Sequence, residues 1–159
     1  MANSTDIVLD RTDRRLLAEV QRDARQTVAE LAERAALSAS PCWRRVKRLE
    51  QAGVIRGYHA RLDAQALGYG VLAFVHVTME RHDAALGAKF EEAVARIPEI
   101  VACHNVSGEH DFLLQVVARD LPGFGEFARD RIRTLPGVKA MNSSFSLKEV
   151  KAALTLPVG

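Results

Sequence analysis

The stretch Ser38-Ala-Ser-Pro-Cys-Trp-Arg-Arg-Val-Lys-Arg-Leu-Glu50 decides how the surrounding chain is interpreted. Its apolar residues Cys42, Val46 and Leu49 recur at i, i+4 and i+7, which predicts a short helix with one buried stripe. The positions outside that stripe carry a cluster of cations: Arg44, Arg45, Lys47 and Arg48. Such a helix needs a scaffold on its apolar side, and its basic side suits a polyanion.

Residues at both ends of this predicted helix have suitable backbone properties. Ser40 is placed to accept a hydrogen bond from a free amide of the first turn, and Pro41 suits the first helical position. Gly53 is a typical helix stop. We therefore expect the helix to begin at Pro41 and to end before Gly53.

Two more helices are predicted upstream. The first begins near Asp10 or Thr12, and the second opens with the capping box Thr27-Val-Ala-Glu30. The residues expected to be buried on them are Leu16, Leu17, Val20, Val28, Leu31, Ala32 and Ala35. Because a tight turn at residues 37–39 joins the second helix to the basic one, the three helices are typical of a helix-turn-helix domain.

The charge of the chain is unevenly distributed. Residues 10–61 carry 12 Lys+Arg against 7 Asp+Glu, whereas the rest of the chain carries 10 against 13. A basic first part on an acidic second part indicates that nucleic acid binds at one end only.

The residues after Gly53 connect this domain to a second one. Residues 54–62 alternate weakly between apolar and polar side chains, which fits a small wing, a connecting strand or an exposed linker strand about equally well. Gly68 and Gly70 mark residues 62–70 as a linker. We therefore predict a DNA-binding domain in residues 1–61 and a second domain in residues 71–159.

The second domain alternates strands and helices. Strands are predicted over residues 71–79, 100–106, 112–118 and 138–147, and helices over residues 84–97 and 122–135. The order is β-α-β-β-α-β, so the fold class is α+β, a helix-turn-helix domain followed by a ferredoxin-like domain. Its two helices cover one face of the sheet, and we expect a second copy of the chain to cover the other.

Cellular location is indicated by what the sequence lacks. Cys42 and Cys103 are far apart and form no metal-binding or disulfide pattern, which favours a reducing cytoplasm. Residues 1–11 have no apolar segment typical of a signal peptide. The most apolar run, residues 66–79, is too short for a membrane span and contains His76. We expect a cytoplasmic protein without membrane contact.

Three segments together resemble the Lrp/AsnC family of transcriptional regulators. They are Leu9-Asp-Arg-Thr-Asp-Arg-Arg-Leu-Leu17, Ser40-Pro-Cys-Trp-Arg-Arg-Val-Lys-Arg-Leu-Glu-Gln-Ala-Gly-Val-Ile55 and Ser107-Gly-Glu-His-Asp-Phe-Leu-Leu114. The resemblance covers residues 8–157. It implies a DNA-binding helix-turn-helix, a ligand-sensing βαββαβ domain, and dimers that assemble into octamers or other higher oligomers. It also implies that an amino acid or related effector binds between dimers and adjusts DNA binding.

Candidate DNA-contacting residues lie in and just before the basic helix. Its cations are expected to meet phosphates, and one or two of them to read guanine edges. Ser38 and Ser40 are candidates for capping, phosphate contact or both, and Trp43 either packs or reaches a phosphate. The complete candidate set is Ser38, Ser40, Trp43, Arg44, Arg45, Lys47 and Arg48. The alternative is a solvated helix face, and Cys42 is interpreted as a core residue.

Candidate effector residues are carried over from the family resemblance. The segment Gly108-Glu-His-Asp111 matches the family's effector-binding turn, with Glu-His in place of the commoner Asp-Tyr. The complete candidate set is Ser107, Gly108, Glu109, His110, Asp111, Asn142, Ser143 and Ser144. The alternative is a polar hairpin turn, which Gly and Asp favour in any case. The effector's identity stays open, although Pro-Cys-Trp-Arg-Arg is similar to a subgroup with cysteine-responsive regulators.

Three other classes of function were weighed. The histidines and acids near His110 match no metal-ligand spacing, so no metal and no cofactor are expected. No nucleophile, phosphate-binding loop or paired acid accompanies them, so we do not expect an enzyme of ferredoxin-like fold. An architectural DNA-organising protein without an effector is the remaining alternative, and DNA affinity that ignores ligands would favour it.

Overall fold

The chain divides into two compact units. The computed structural model describes residues 7–152 and 155–158. The first unit contains the described parts of residues 1–61 and 151–159, and the second contains residues 62–150. This division differs from the predicted one at residues 62–70, which belong to the second unit instead of forming a separate linker, and at the tail.

Three helices form the first unit: α1 (Arg11–Arg22), α2 (Val28–Arg34) and α3 (Ala39–Gln51). Both predicted caps of the upstream helices are present, because Asp10 caps α1 and Thr27 forms a capping box with Glu30 at α2. Their core consists of Leu16, Leu31, Ala32, Ala35 and Cys42, with Val20, Leu37 and Val46 packed against it. Val28, predicted to be buried, is instead 41% exposed.

The predicted start of α3 was wrong by two residues. The helix begins at Ala39, and Ser38 is its N-cap residue although its side chain makes no capping hydrogen bond. Ser40 and Pro41 therefore lie inside the first turn. Proline is tolerated there because the N–H groups of a first turn have no acceptor within the helix.

The segment after α3 and the end of the chain are both irregular. No strand forms in residues 54–62, so neither the wing nor the connecting strand is present. The tail contacts α1 through Gln21, whose amide nitrogen donates to the Leu156 carbonyl at 3.1 Å and whose amide oxygen accepts from the Leu156 N–H at 2.7 Å.

The second unit has the predicted βαββαβ order. Its strands are β1 (Val71–Met79), β2 (Ile100–Asn105), β3 (Phe112–Ala118) and β4 (Val138–Phe145), and its helices are α4 (Ala84–Ala95) and α5 (Leu121–Phe127). The strands form one antiparallel sheet in the order β2-β3-β1-β4. The second predicted helix is divided, because α5 continues as a π-helical turn over Ala128–Ile132.

The two faces of the sheet differ in burial. On β1 and β3, alternate residues from Ala73 to Met79 and from Phe112 to Ala118 are buried in the core with α4 and α5. The intervening residues, among them Phe74 and Leu113, lie on a face that no helix of residues 62–150 covers. We call this the open face of the sheet.

Candidate functional site

The four cations of α3 have different partners. Arg45 Nη1 lies 2.7 Å from Asp10 Oδ2 and 2.8 Å from Asp13 Oδ1. Arg48 donates to the other carboxylate oxygen of Asp13. Lys47 Nζ lies 2.7 Å from Glu50 Oε2. The Arg44 side chain is exposed and makes no hydrogen bond or ion pair with any described residue.

Asp13 is the centre of the link between α1 and α3. It is 0% exposed. Besides the two arginines, its carboxylate accepts the backbone N–H of Asp10 at 3.1 Å, and its own N–H donates to the Asp10 carboxylate at 2.7 Å. A buried carboxylate is tolerated when it is paired and hydrogen-bonded in this way. Sequence reasoning missed Asp13, whose partners lie 32 and 35 residues away.

Asp10 completes this link at the surface. The Asp13 N–H, and then the Arg45 guanidinium, hold the pKa of the Asp10 carboxyl below its ordinary value. The hydrogen bonds that the Arg45 guanidinium donates to the carboxylates of Asp10 and, second, Asp13 raise the pKa of Arg45. The Asp10 carboxylate and the Arg45 guanidinium are thus both charged at neutral pH. Arg45 is paired with the two carboxylates at the start of α1.

The exposed face of α3 has a helical spacing of its own. Ser40, Arg44 and Lys47 recur at i, i+4 and i+7, and all three are exposed. At 100° per residue this stripe lies nearly opposite the buried Cys42 and Leu49. Arg48 borders the stripe, and its side chain is 48% exposed. Ser38 is exposed just before the first turn.

Trp43 lies at the flank of that stripe. It is 52% exposed and lines a cavity of about 250 Å³ together with Val20, Leu31 and Tyr58. Tyr58 donates its hydroxyl to Glu50 at 2.9 Å, and burial together with that carboxylate raises the pKa of Tyr58 to about 12. Val20, Leu31 and Tyr58 belong to α1, α2 and the segment after α3, so Trp43 faces a cavity that all three line.

Cys42 has the environment of a core residue. It is 0% exposed, and burial raises the pKa of its thiol. A protonated, buried thiol is a poor nucleophile.

In the second unit, the turn between β2 and β3 contains Gly108 in a backbone conformation with φ of +121°. A Cβ added at Gly108 would meet no atom within 4 Å, so the space beside it is open. The Val106 N–H donates to the Asp111 carbonyl at 3.0 Å, and the Asp111 N–H donates to the Val77 carbonyl at 2.9 Å. Ser107 and Glu109 are exposed on this turn.

Both carboxylate oxygens of Asp111 contact other residues of the chain. One oxygen accepts the Met79 N–H at 2.7 Å, and the other lies 3.1 Å from His82 Nδ1. The carboxylate thus fastens the turn to the end of β1.

His110 connects the turn to the open face of the sheet. Its Nδ1 lies 3.1 Å from Thr78 Oγ1, and its ring centroid lies 4.9 Å from that of His76. His76 is paired with Asn142 on β4. His76 and Thr78 were missed as site residues, although polar residues alternating with buried valines in β1 could have indicated them.

The three polar residues of β4 do not all join this cluster. Asn142 and Ser144 pair with His76 and Phe74, so they share the open face with the histidines. Ser143 pairs with the buried Val75 and lies on the helix side of the sheet. The structure therefore separates Ser143 from the other candidates.

The described residues contain neither a metal-binding cluster nor a membrane-spanning helix. Within residues 7–152 and 155–158, no three His, Cys, Asp or Glu side chains come together in a way that could hold a metal ion. In the same part of the chain, no helix is both long enough and apolar enough to cross a membrane.

Family models match both units. One described as the Lrp/AsnC ligand binding domain matches residues 72–156, and one described as a winged helix-turn-helix DNA-binding domain matches residues 9–56. Among curated proteins, the leucine-responsive regulatory protein of Rhizobium meliloti is 41% identical over 96% of this chain and 97% of its own length. The DNA-binding transcriptional activator DecR of Escherichia coli is 34% identical, covering 95% and 99%.

Solved structures agree in fold along nearly the whole chain. A transcriptional regulator from Neisseria meningitidis, in complex with L-Met, has a TM-score of 0.90 at 40% identity and covers 95% of this chain and 97% of its own. An AsnC family transcriptional regulator from Agrobacterium tumefaciens has a TM-score of 0.88 at 34% identity, covering 94% and 97%.

Proposed function

The chain belongs to the Lrp/AsnC family of DNA-binding transcriptional regulators, and we propose which of its residues contact DNA and which contact the effector. The first unit binds double-stranded DNA through the exposed face of α3. The second unit binds an amino acid or a close relative and pairs with other copies of the chain. We assign no catalytic activity to it.

The proposed DNA contacts follow from the pairing of the α3 cations. Arg44 is exposed without a described partner, so its guanidinium is available for a phosphate or a guanine edge. Ser40 and Lys47 share its stripe, and Ser38 lies where a phosphate would meet the start of the helix. Arg48 keeps N–H donors beyond those that Asp13 uses. Arg45 is assigned to the scaffold, and Trp43 to the flank.

A second copy of the chain is the proposed cover of the open face. Leu72, Phe74, Leu113 and Val117 are only partly buried there, and apolar side chains on a continuous sheet face favour association. Pairing would supply two α3 helices for half-sites about 34 Å apart along DNA. Higher oligomers, octamers included, would be built from such dimers.

The proposed effector site is the turn at residues 107–111 together with the open-face residues beside it. The backbone at Gly108 can approach a carboxylate closely, because no Cβ is present. The exposed Glu109 supplies a negative charge for an ammonium group, and His110, Asn142 and Ser144 offer hydrogen bonds. The relative from Neisseria meningitidis was solved with L-Met, which supports an amino acid. Asp111 holds the turn of this site in place through its contacts with Met79 and His82. A neighbouring dimer would complete the site.

The observation that carries the proposed function is the exposed Ser40, Arg44 and Lys47 stripe of α3, in which the Arg44 side chain has no described partner, within a chain that also has the family's ligand-binding domain. The test begins with DNA selected from a random pool by the purified protein. Fluorescence anisotropy then measures affinity for that DNA with and without each of the twenty amino acids. An amino acid that changes affinity supports the proposal. Binding that no amino acid alters would favour an architectural DNA-organising protein.

The proposed location is the cytoplasm. The DNA partner supports it, since a transcriptional regulator must reach the chromosome, and so do the two cysteines, which are free thiols.

A further inference from the structure

We propose that Asp13 is a positioning residue of the DNA interface, because its buried carboxylate holds Arg45 and Arg48 and thereby sets the orientation of α3 on α1. This inference rests on the proposed function and adds a residue that does not itself touch DNA. Its role is to fix where the DNA-contacting side chains lie.

Asp13 holds α3 at two points. Arg45 and Arg48 are three residues apart on α3, and each binds a different oxygen of the same carboxylate. Two contacts one turn apart restrict both the rotation of α3 about its axis and its displacement along that axis. Asp13 is itself held by the reciprocal capping contacts with Asp10. These contacts thus fix the orientation of α3 relative to the start of α1.

The second argument concerns the choice of an ionic contact. Well-packed apolar residues can join two helices at least as stably as a buried ion pair does, so stability alone does not require one. A buried charge does require definite partners in a definite geometry, and it therefore favours one orientation of α3 over others. Orientation is what base reading requires and what phosphate attraction alone does not.

The third argument concerns Arg48. Its guanidinium donates to Asp13 while its side chain stays 48% exposed. Five N–H donors are arranged in a planar fork, so the remaining donors point in directions that the carboxylate determines. Arg48 is thereby oriented before DNA arrives. Asp13 also removes one positive charge from the surface, which lowers attraction to DNA of any sequence.

Replacing Asp13 should have opposite effects on specific and non-specific DNA binding. In Asp13→Asn, α3 and Arg48 lose their fixed orientation, so affinity for selected DNA falls. Arg48 is released from the carboxylate while Arg45 keeps its contact with Asp10, so affinity for random DNA is kept or rises. We expect the ratio of non-specific to specific Kd to fall by about tenfold, the order of one well-placed base contact. We also expect the slope of log K against log salt to steepen by about one charge.

Glu33→Gln is the matched control. Glu33 is exposed on α2, and its side chain makes no hydrogen bond or ion pair with a described residue, so this variant removes one negative charge from the same unit without breaking a polar contact to α3. Its ratio of Kd values should equal that of the parent. Adding Asp13→Asn to Arg45→Gln/Arg48→Gln should not lower the ratio further, because Asp13 acts through those two arginines.

Circular dichroism first shows whether Asp13→Asn is folded. If it is not, Arg45→Lys takes its place, because it keeps the charge but loses the planar fork, and Arg45 has no proposed DNA contact of its own. A reduced ratio then supports the proposal, and the parent ratio overturns it. A folded Asp13→Asn with the parent ratio also overturns it, as does a further fall of the ratio in the triple variant. Failure of the parent to select any DNA would instead refute the proposed function.

Discussion

At the scale of single residues, neighbouring arginines of α3 have different roles. Arg44 and Arg45 are adjacent in the sequence and identical in chemistry, and the pattern of the stretch predicted DNA contact for both. The structure gives Arg45 two carboxylates and gives Arg44 no described partner. The difference could not be predicted, because it depends on the direction of each side chain relative to a carboxylate 32 residues away.

We expect Arg44→Ala to weaken binding to selected DNA by about 1–3 kcal/mol without changing the melting temperature, because a surface contact to DNA is lost. Arg45→Ala should lower stability by about 1–3 kcal/mol, because buried Asp13 loses a partner. Anisotropy titration and thermal denaturation of the two variants measure these effects. Equal losses of stability, or parent-like DNA binding by Arg44→Ala, would contradict the assignment.

Within the proposed effector site, Gly108 is the residue that no other amino acid can replace without backbone strain. Its φ of +121° is strained for any side chain. Gly108→Ala should therefore distort the turn and weaken effector binding in calorimetry, and should leave the DNA affinity of the effector-free protein unchanged.

The matched control for Gly108→Ala is Gly87→Ala. Gly87 lies within α4, where an added Cβ meets no atom within 4 Å, and alanine in a helix is favoured over glycine by about 0.5–1 kcal/mol. This variant should bind effector like the parent. Undiminished effector binding by Gly108→Ala would place the effector site elsewhere.

At the scale of secondary structure, the accuracy of the sequence predictions depended on whether the deciding contact is local. The capping box at Thr27 and Glu30 and the span of β1 were predicted correctly, since both depend on near neighbours along the chain. The start of α3 was predicted two residues late because both Ser38 and Ser40 are suitable caps. The link through Asp13 and the role of His76 depend on tertiary contacts, so they were missed.

The start of α1 should make the first unit sensitive to acid. The pKa of the Asp10 carboxyl is lowered in the folded state, so its contribution to stability is complete above its unfolded pKa of about 3.9. That contribution is lost as the pH falls through the lowered folded value.

The variant that tests this acid sensitivity is Asp10→Asn. The parent should be more stable than the variant at pH 7, and the difference in the free energy of unfolding should shrink as the pH falls below the unfolded pKa of about 3.9. Urea unfolding at several pH values gives this difference. A difference that is independent of pH would show that the charge of Asp10 makes no contribution.

At the scale of the whole molecule, the open face of the sheet is the feature for which we propose a second copy of the chain as cover. The order of strands and helices was predicted along the whole second unit, and it is this order that leaves one face without helices. The number of copies that assemble was not predicted, because it depends on surfaces that recognise each other between chains.

We expect sedimentation to show a dimer or a larger assembly at micromolar concentration, and Phe74→Glu to shift it toward monomer, because a charge on the open face would be buried without a partner. Affinity for DNA with two half-sites should fall with it. Lys89→Glu, on the exposed side of α4, is the control and should assemble like the parent. A parent that sediments as a monomer would remove the two-half-site mechanism.

The contact between Gln21 and Leu156 has a practical consequence for handling this protein. Because the last residues return to α1, a fragment that stops at residue 61 is missing part of the unit it is meant to represent. A fluorescent label attached at Leu156 would lie beside α1, whereas the order of the domains along the chain suggests a position in the second unit.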